Sequence, residues 1–139
     1  MAITNKNKIR ILHIDEDIEF IESTKFLLGD NFMVESPDAV FNALESISTF
    51  KPDVILLDIE FPNSVHNHQH KQKLNLLNIL RGESKYKTLP VIIIGHCLKK
   101  EVETWYQSLE ADGYISKPVQ IKQLIEKINE IIKERSQDV

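Results

Sequence analysis

The sequence predicts an α/β fold, one parallel β-sheet wound on both faces by helices. Three features of it carry that reading. Short apolar runs alternate five times with longer amphipathic stretches. The central run, Pro52 to Asp58 (PDVILLD), is apolar almost throughout, as a strand covered on both faces must be. The final stretch places Ile121, Leu124, Ile125, Ile128, Ile131 and Ile132 on one helical stripe. Strict alternation of buried strands and amphipathic helices favours a parallel sheet between two helical layers.

Taken in order, Ile9 to Ile14 reads as a first strand and Asp17 to Leu28 as a helix. Ile18, Ile21, Lys25 and Leu28 share one face of that helix, and Gly29 is placed to stop it. Asn31 to Glu35 is a short second strand. Ser36 and Pro37 read as an N-cap and a first helical residue, opening a helix with Val40, Phe41, Leu44 and Ile47 on one face. Asp53 to Asp58 is the third strand. Asn63 to Lys73 (NSVHNHQHKQK) reads as a polar, His-rich loop, and Leu74 to Arg81 as a helix. Val91 to Ile94 is a fourth strand and Lys99 to Leu109 a helix, with Val102, Trp105, Tyr106 and Leu109 aligned. Gly113 to Ser116 is a fifth strand before the isoleucine-striped helix. Five such units imply a flavodoxin-like (βα)5 three-layer sandwich with strand order 2-1-3-4-5. Its chemistry would lie beyond the carboxyl ends of strands one and three. The domain is expected over residues 8–135, with an N-terminal extension at 1–7 and a polar, frayed tail beyond it at 136–139.

Composition narrows the function classes. A chain of 139 residues suits one domain, and 42% hydrophobic with 27% charged residues is an ordinary globular balance. The formal net charge of -4 gives no basic footprint for nucleic acid. Met1 to Arg10 lacks the apolar core of a signal peptide, and the apolar runs are too short for a membrane span. Cys97 alone cannot staple a fold. These features make a cytoplasmic protein the default expectation.

Acids and one lysine collect at the predicted strand ends. Asp15, Glu16 and Asp17 follow strand one; Asp58 ends strand three with Glu60 beyond it; Lys117 follows strand five, before Pro118. Clustered acids repel one another, and a hard divalent cation relieves the conflict. Mg2+ typically takes one or two carboxylates together with phosphate oxygens. Lys117 would add a mobile positive charge suited to a phosphoryl oxygen. A carboxylate nucleophile, a metal and a lysine are what phosphoryl transfer needs.

The segments ILHIDED, PDVILLDIEFP, LPVIII and ADGYISKP, in this order and spacing, closely resemble receiver domains of two-component response regulators. The resemblance covers about Lys8 to Arg135. It implies that Asp58 is the phosphoacceptor in a phosphorelay, served by a sensor histidine kinase or a phosphotransfer protein. It implies Mg2+ or Mn2+ held by Glu16 directly, by Asp15 through water, by Asp58 and by the backbone carbonyl of Glu60. Lys117 would contact the phosphoryl group, its bond to Pro118 would be cis, and Tyr114 matches the aromatic switch position. Partners would include a downstream protein or a second copy meeting the fourth helix, fifth strand and last helix. Nucleic acid and membrane are not expected partners of this domain.

Three features depart from that pattern. Gly95 stands where a receiver's fourth strand usually ends in Ser or Thr, so the hydroxyl that draws the switch inward is missing. His96 follows, where a small residue is usual; its imidazole would narrow access to Asp58 or lend a donor to a phosphate. The segment from Asn63 to Lys73 is longer than usual. An alternative is therefore a pseudo-receiver, a protein-binding module independent of phosphorylation. A more distant one is a haloacid-dehalogenase-type phosphatase with Asp15 as nucleophile, which leaves the Asp58 motif unexplained. Asp17 reads as a helix-capping acid rather than a ligand. His66, His68 and His70 would share one side only in an extended loop, and the solvated loop is the preferred reading over a zinc site. His13 reads as a hydrogen-bonded core histidine, and Cys97 as inert packing.

Overall fold

A computed structural model describes residues 8–60, 68–96 and 100–137. Within them five strands alternate with five helices: β1 (Ile9–Ile14), α1 (Ile18–Leu28), β2 (Phe32–Glu35), α2 (Ala43–Phe50), β3 (Val54–Asp58), α3 (His68–Gly82), β4 (Val91–Gly95), α4 (Lys100–Ser108), β5 (Gly113–Ser116) and α5 (Ile121–Gln137). All neighbouring strands pair in parallel, in the order β2-β1-β3-β4-β5. This is the flavodoxin-like arrangement that the alternation predicts.

The period-two rule divides the core cleanly. Ile11, Val54, Leu56, Ile92, Ile94 and Ile115 pack toward Leu28 of α1 and Leu124, Ile128 and Ile131 of α5. Leu12, Ile14, Ile55, Leu57, Val91 and Ile93 pack toward α2, α3 and Tyr106 of α4. β3 is buried at every residue because it lies centrally between β1 and β4 under both layers. Central parallel strands carry their carboxyl ends to one edge, and Asp58 is thereby delivered to the rim of the sheet.

Four local expectations are corrected. No helix opens at Pro37. Residues 36–39 are irregular, Ala39 is extended, and a 3-10 turn at Val40–Asn42 leads into α2. The tighter turn shifts the helical phase, so α2 buries Ala43, Ile47 and Phe50 while Phe41 is 77% exposed and Leu44 sits at the surface. In α1 the buried face is Ile21, Thr24 and Leu28, and Ile18 is 72% exposed. Helix α3 starts at His68, six residues before the expected Leu74, so the His-rich segment is partly helical. The extended geometry that would align its histidines is absent over residues 68–70, and His66 lies outside the described residues, as does Cys97. At the other end α5 runs on to Gln137, past the expected start of a frayed tail.

Lys51 closes α2 with a left-handed backbone, φ 55° and ψ 65°, while its N–H bonds to the Ile47 carbonyl. A side chain is strained in that conformation and glycine is not. Lys51→Gly should therefore stabilise the fold by about 0.5–1 kcal/mol, read as a higher urea midpoint with an unchanged slope.

Candidate functional site

The end of β1 and the start of α1 are fixed by their own acids. Asp17 caps α1, accepting from the N–H of Phe20 at 3.1 Å, as its position predicts. Asp15 accepts from the N–H of Asp17 at 2.9 Å, which turns the chain away from the sheet. The second oxygen of Asp15, Oδ2, lies 3.8 Å from Nε2 of His13 and has no hydrogen-bond donor among the described residues. Glu16 points elsewhere: its carboxylate is paired with the ammonium of Lys73 on α3.

Asp58 ends β3 with 3% of its surface exposed. Its Oδ2 is 2.5 Å from Nζ of Lys117, which the cis Lys117–Pro118 bond follows at the end of β5. The contact is short enough for the ammonium to donate to that oxygen. At this separation charge attraction dominates, so the contact is an ion pair. Lys117 also reaches Glu60 at 3.1 Å, and Glu60 in turn lies 3.0 Å from Nδ1 of His96. Burial pushes the Asp58 carboxyl up to about 6 and the Asp15 charge adds to the rise, against the pull of Lys117. Burial acts on Lys117 and Glu60 as well, but their mutual attraction and their other partners outweigh it. Lys117 holds its proton more tightly than usual and Glu60 holds its proton less tightly.

Asp15, Asp58, Glu60, His96 and Lys117 thus meet at the carboxyl edge of the sheet. Glu16 is at the same edge but engaged by Lys73. Among the described residues no three Asp, Glu, His or Cys side chains converge as a ready-made metal cluster. The donor chemistry still fits Mg2+, because two carboxylates suffice: the buried Oδ2 of Asp15 has no hydrogen-bond donor among the described residues, and Asp58 is met there only by the Lys117 ammonium.

Gly95 and Tyr114 are joined directly: the Tyr114 hydroxyl donates to the Gly95 carbonyl at 3.1 Å, and the Lys117 N–H donates to that same oxygen at 2.9 Å. Sequence reasoning missed what fills the space over Gly95. Tyr106, 2% exposed, brings its phenol there and donates to the Ile59 carbonyl at 2.5 Å. It missed Lys73 as well. The signal was present, since Lys73 shares the helical face of Leu76, Leu77 and Leu80, all buried.

His13 is a further correction. It is fully buried, edge-on to Phe20, and neither ring nitrogen has a hydrogen-bond partner among the described residues. Burial pushes its imidazole down to about 4.

These two buried groups tilt stability in opposite directions. Asp58, raised in the fold, contributes stability that is complete below pH 3.8 and lost as pH climbs through 6. His13, lowered in the fold, contributes stability that is complete above pH 6.5 and lost as pH falls toward 4. Metal-free wild type should therefore show a shallow profile between pH 4 and 6. Asp58→Asn should be more stable than wild type at pH 7.5, by up to about 3 kcal/mol. The gap should close by pH 4, leaving a mutant that weakens steadily with acid. Denaturant titrations in chelator across that range measure it; a constant gap would contradict the assignment to Asp58.

Among the described residues no helix is long and apolar enough to cross a membrane. Residues 11–129 match the response regulator receiver domain family. The chain is 34% identical over 119 residues to the "Probable transcriptional regulator ycf29" of Cyanophora paradoxa, covering 84% of this chain and 53% of that protein. It is 27% identical over 127 residues to the phosphate regulon transcriptional regulatory protein PhoB of Klebsiella pneumoniae, covering 89% and 52%. The chain thus spans about half the length of these curated relatives. Among solved structures it is similar to a CheY-like response regulator receiver domain protein from Methanospirillum hungatei, with TM-score 0.70, 26% identity, and 95% and 99% of the two chains covered. It is also similar to the receiver domain of the Francisella response regulator 1452, with TM-score 0.72, 25% identity, and 92% and 99% covered. With this match across most of its length, the chain belongs to the response regulator receiver domain family, a signalling module of two-component systems.

Proposed function

We propose that this receiver accepts a phosphoryl group on Asp58 from the phosphohistidine of a sensor kinase or phosphotransfer protein. The observation that carries the reading is the Asp58–Lys117 ion pair at the rim of the sheet, beside the orphaned oxygen of Asp15. An Asp58 oxygen attacks phosphorus, the P–N bond breaks with its electrons returning to the imidazole, and an acyl phosphate forms. A carboxyl raised to about 6 is still mostly ionised at neutral pH and is a better nucleophile than an ordinary one. Lys117 is placed to move from the carboxylate to a phosphoryl oxygen while Glu60 keeps it near.

Asp15, Asp58 and the Glu60 carbonyl would hold Mg2+ or Mn2+, which supplies charge neutralisation during transfer. Glu16 would join them only on leaving Lys73, so Lys73 acts as an internal competitor for the metal. A cytoplasmic setting goes with this reading. Docking of a downstream protein or a second copy on α4, β5 and α5 remains part of the proposal. Membership of the receiver family sets aside the phosphatase reading.

A second reading, the phosphorylation-independent binding module, draws support from the Glu16–Lys73 pair and from Gly95 in place of a hydroxyl residue. Incubation with Mg2+ and a small acyl-phosphate donor, followed by mass mapping, separates the two. One phosphoryl group per chain on Asp58, abolished in Asp58→Asn, is the expected result; no labelling by donor or kinase would favour the binding module. Removing the competing cation should also show. Lys73→Met is expected to bind Mg2+ about tenfold more tightly in a calorimetric titration, a change of about 1.4 kcal/mol. Unchanged affinity would mean that Glu16 takes no part in metal binding.

A further inference from the structure

Gly95 has no room for a side chain. A Cβ built there would fall on the Tyr106 hydroxyl and lie 2.5 Å from the Ile59 carbonyl oxygen. The missing atom's place is taken by a phenol from α4. That phenol is buried, donates to Ile59 and lies flat on Tyr114, with ring centroids 4.5 Å apart and planes 24° from parallel. One hydroxyl therefore joins the turn after β3 to α4, and through the stacked rings to β5.

The location of Ile59 gives this bond its meaning. Ile59 stands between Asp58 and Glu60, the two residues that Lys117 holds together. Its N–H is anchored to the Ile94 carbonyl in the sheet at 3.0 Å, so its carbonyl is the side of the residue gripped from α4. A phosphoryl group on Asp58 would claim the donors of Lys117 and loosen its hold on Glu60. The peptide between those residues is then pulled, and a buried hydrogen bond transmits the pull because breaking it leaves an unpaired acceptor.

We propose that Tyr106 is the positioning residue that couples the state of Asp58 to the α4–β5 face, in place of a side chain at position 95. The inference rests on Asp58 being the phosphoacceptor. It differs from a simple loss of switching, in which Gly95 would leave the fourth-strand loop and Tyr114 indifferent to phosphorylation. Adding a side chain at Gly95 would displace the phenol and weaken the coupling.

The test compares the wild-type chain with Tyr106→Phe and Gly95→Ala. Each is incubated with Mg2+ and acetyl phosphate; occupancy of Asp58 is measured by mass and amide shifts by NMR before and after. Tyr106→Phe keeps the ring and its stack on Tyr114 and loses only the hydroxyl. It is expected to take up phosphate with a nearly unchanged unphosphorylated spectrum outside the immediate contact. The phosphorylation-dependent shifts of Tyr114 and Ile115 should fall at least threefold. Gly95→Ala, which displaces the phenol from the other side, should show the same loss. If wild type is labelled and either variant keeps the full wild-type response, or if wild type itself shows no response at Tyr114, the coupling role of Tyr106 is overturned while the phosphoacceptor reading stands. If wild type takes up no phosphate, the phosphoacceptor reading falls and takes this inference with it.

Discussion

The arrangement depends on keeping carboxylates at the dry end of an apolar sheet. Asp15 follows β1 and Asp58 ends β3, two central strands in a largely apolar core, and burial holds the Asp58 carboxyl above its ordinary range. Isolated charges in such surroundings are very costly. Two lysines from different layers meet the acids of this rim: Lys117 beyond β5 faces Asp58, and Lys73 on α3 faces Glu16. The compensation remains partial for Asp58, whose carboxyl stays raised. That incompleteness suits the proposed role, because a fully satisfied carboxylate would have little to gain from a metal or a phosphoryl group.

Cation placement also divides labour along the rim. Lys117 is shared by Asp58 and Glu60, and Glu60 is shared by Lys117 and His96, so one chain of contacts spans the ends of β3, β4 and β5. Lys73, from α3, is paired with Glu16 just beyond the end of β1. His13 stays neutral beneath, hemmed by Phe20 and the sheet. It adds bulk to the interior without adding charge at neutral pH.

Most of the frame was legible in the chain. Strands β1, β3 and β5 declare themselves through apolar runs bounded by acids, Gly113 or Lys117, and parallel order follows from alternation with helices. Asp58 and Lys117 were legible because they end such strands. Less legible were features set by tertiary contact. The apolar spacing from Val40 onward fits a helix, yet a 3-10 turn rotates the buried face and exposes Phe41. Lys73 sits in a polar run that reads as loop, although α3 carries it beneath the site. Tyr106 has the spacing of a core aromatic; that its hydroxyl would lie over Gly95 depends on how α4 meets β4, which no local pattern encodes.

The crowding between positions 95 and 106 constrains how this sequence can change. A larger residue at 95 collides with the phenol, while a smaller one at 106 opens a buried void beside a carbonyl left without that donor. The two positions are therefore sterically linked, since what fits at one depends on what stands at the other. A hydroxyl residue on β4 could be seated without that collision only if position 106 changed with it, so the two sites would have to move in concert rather than singly.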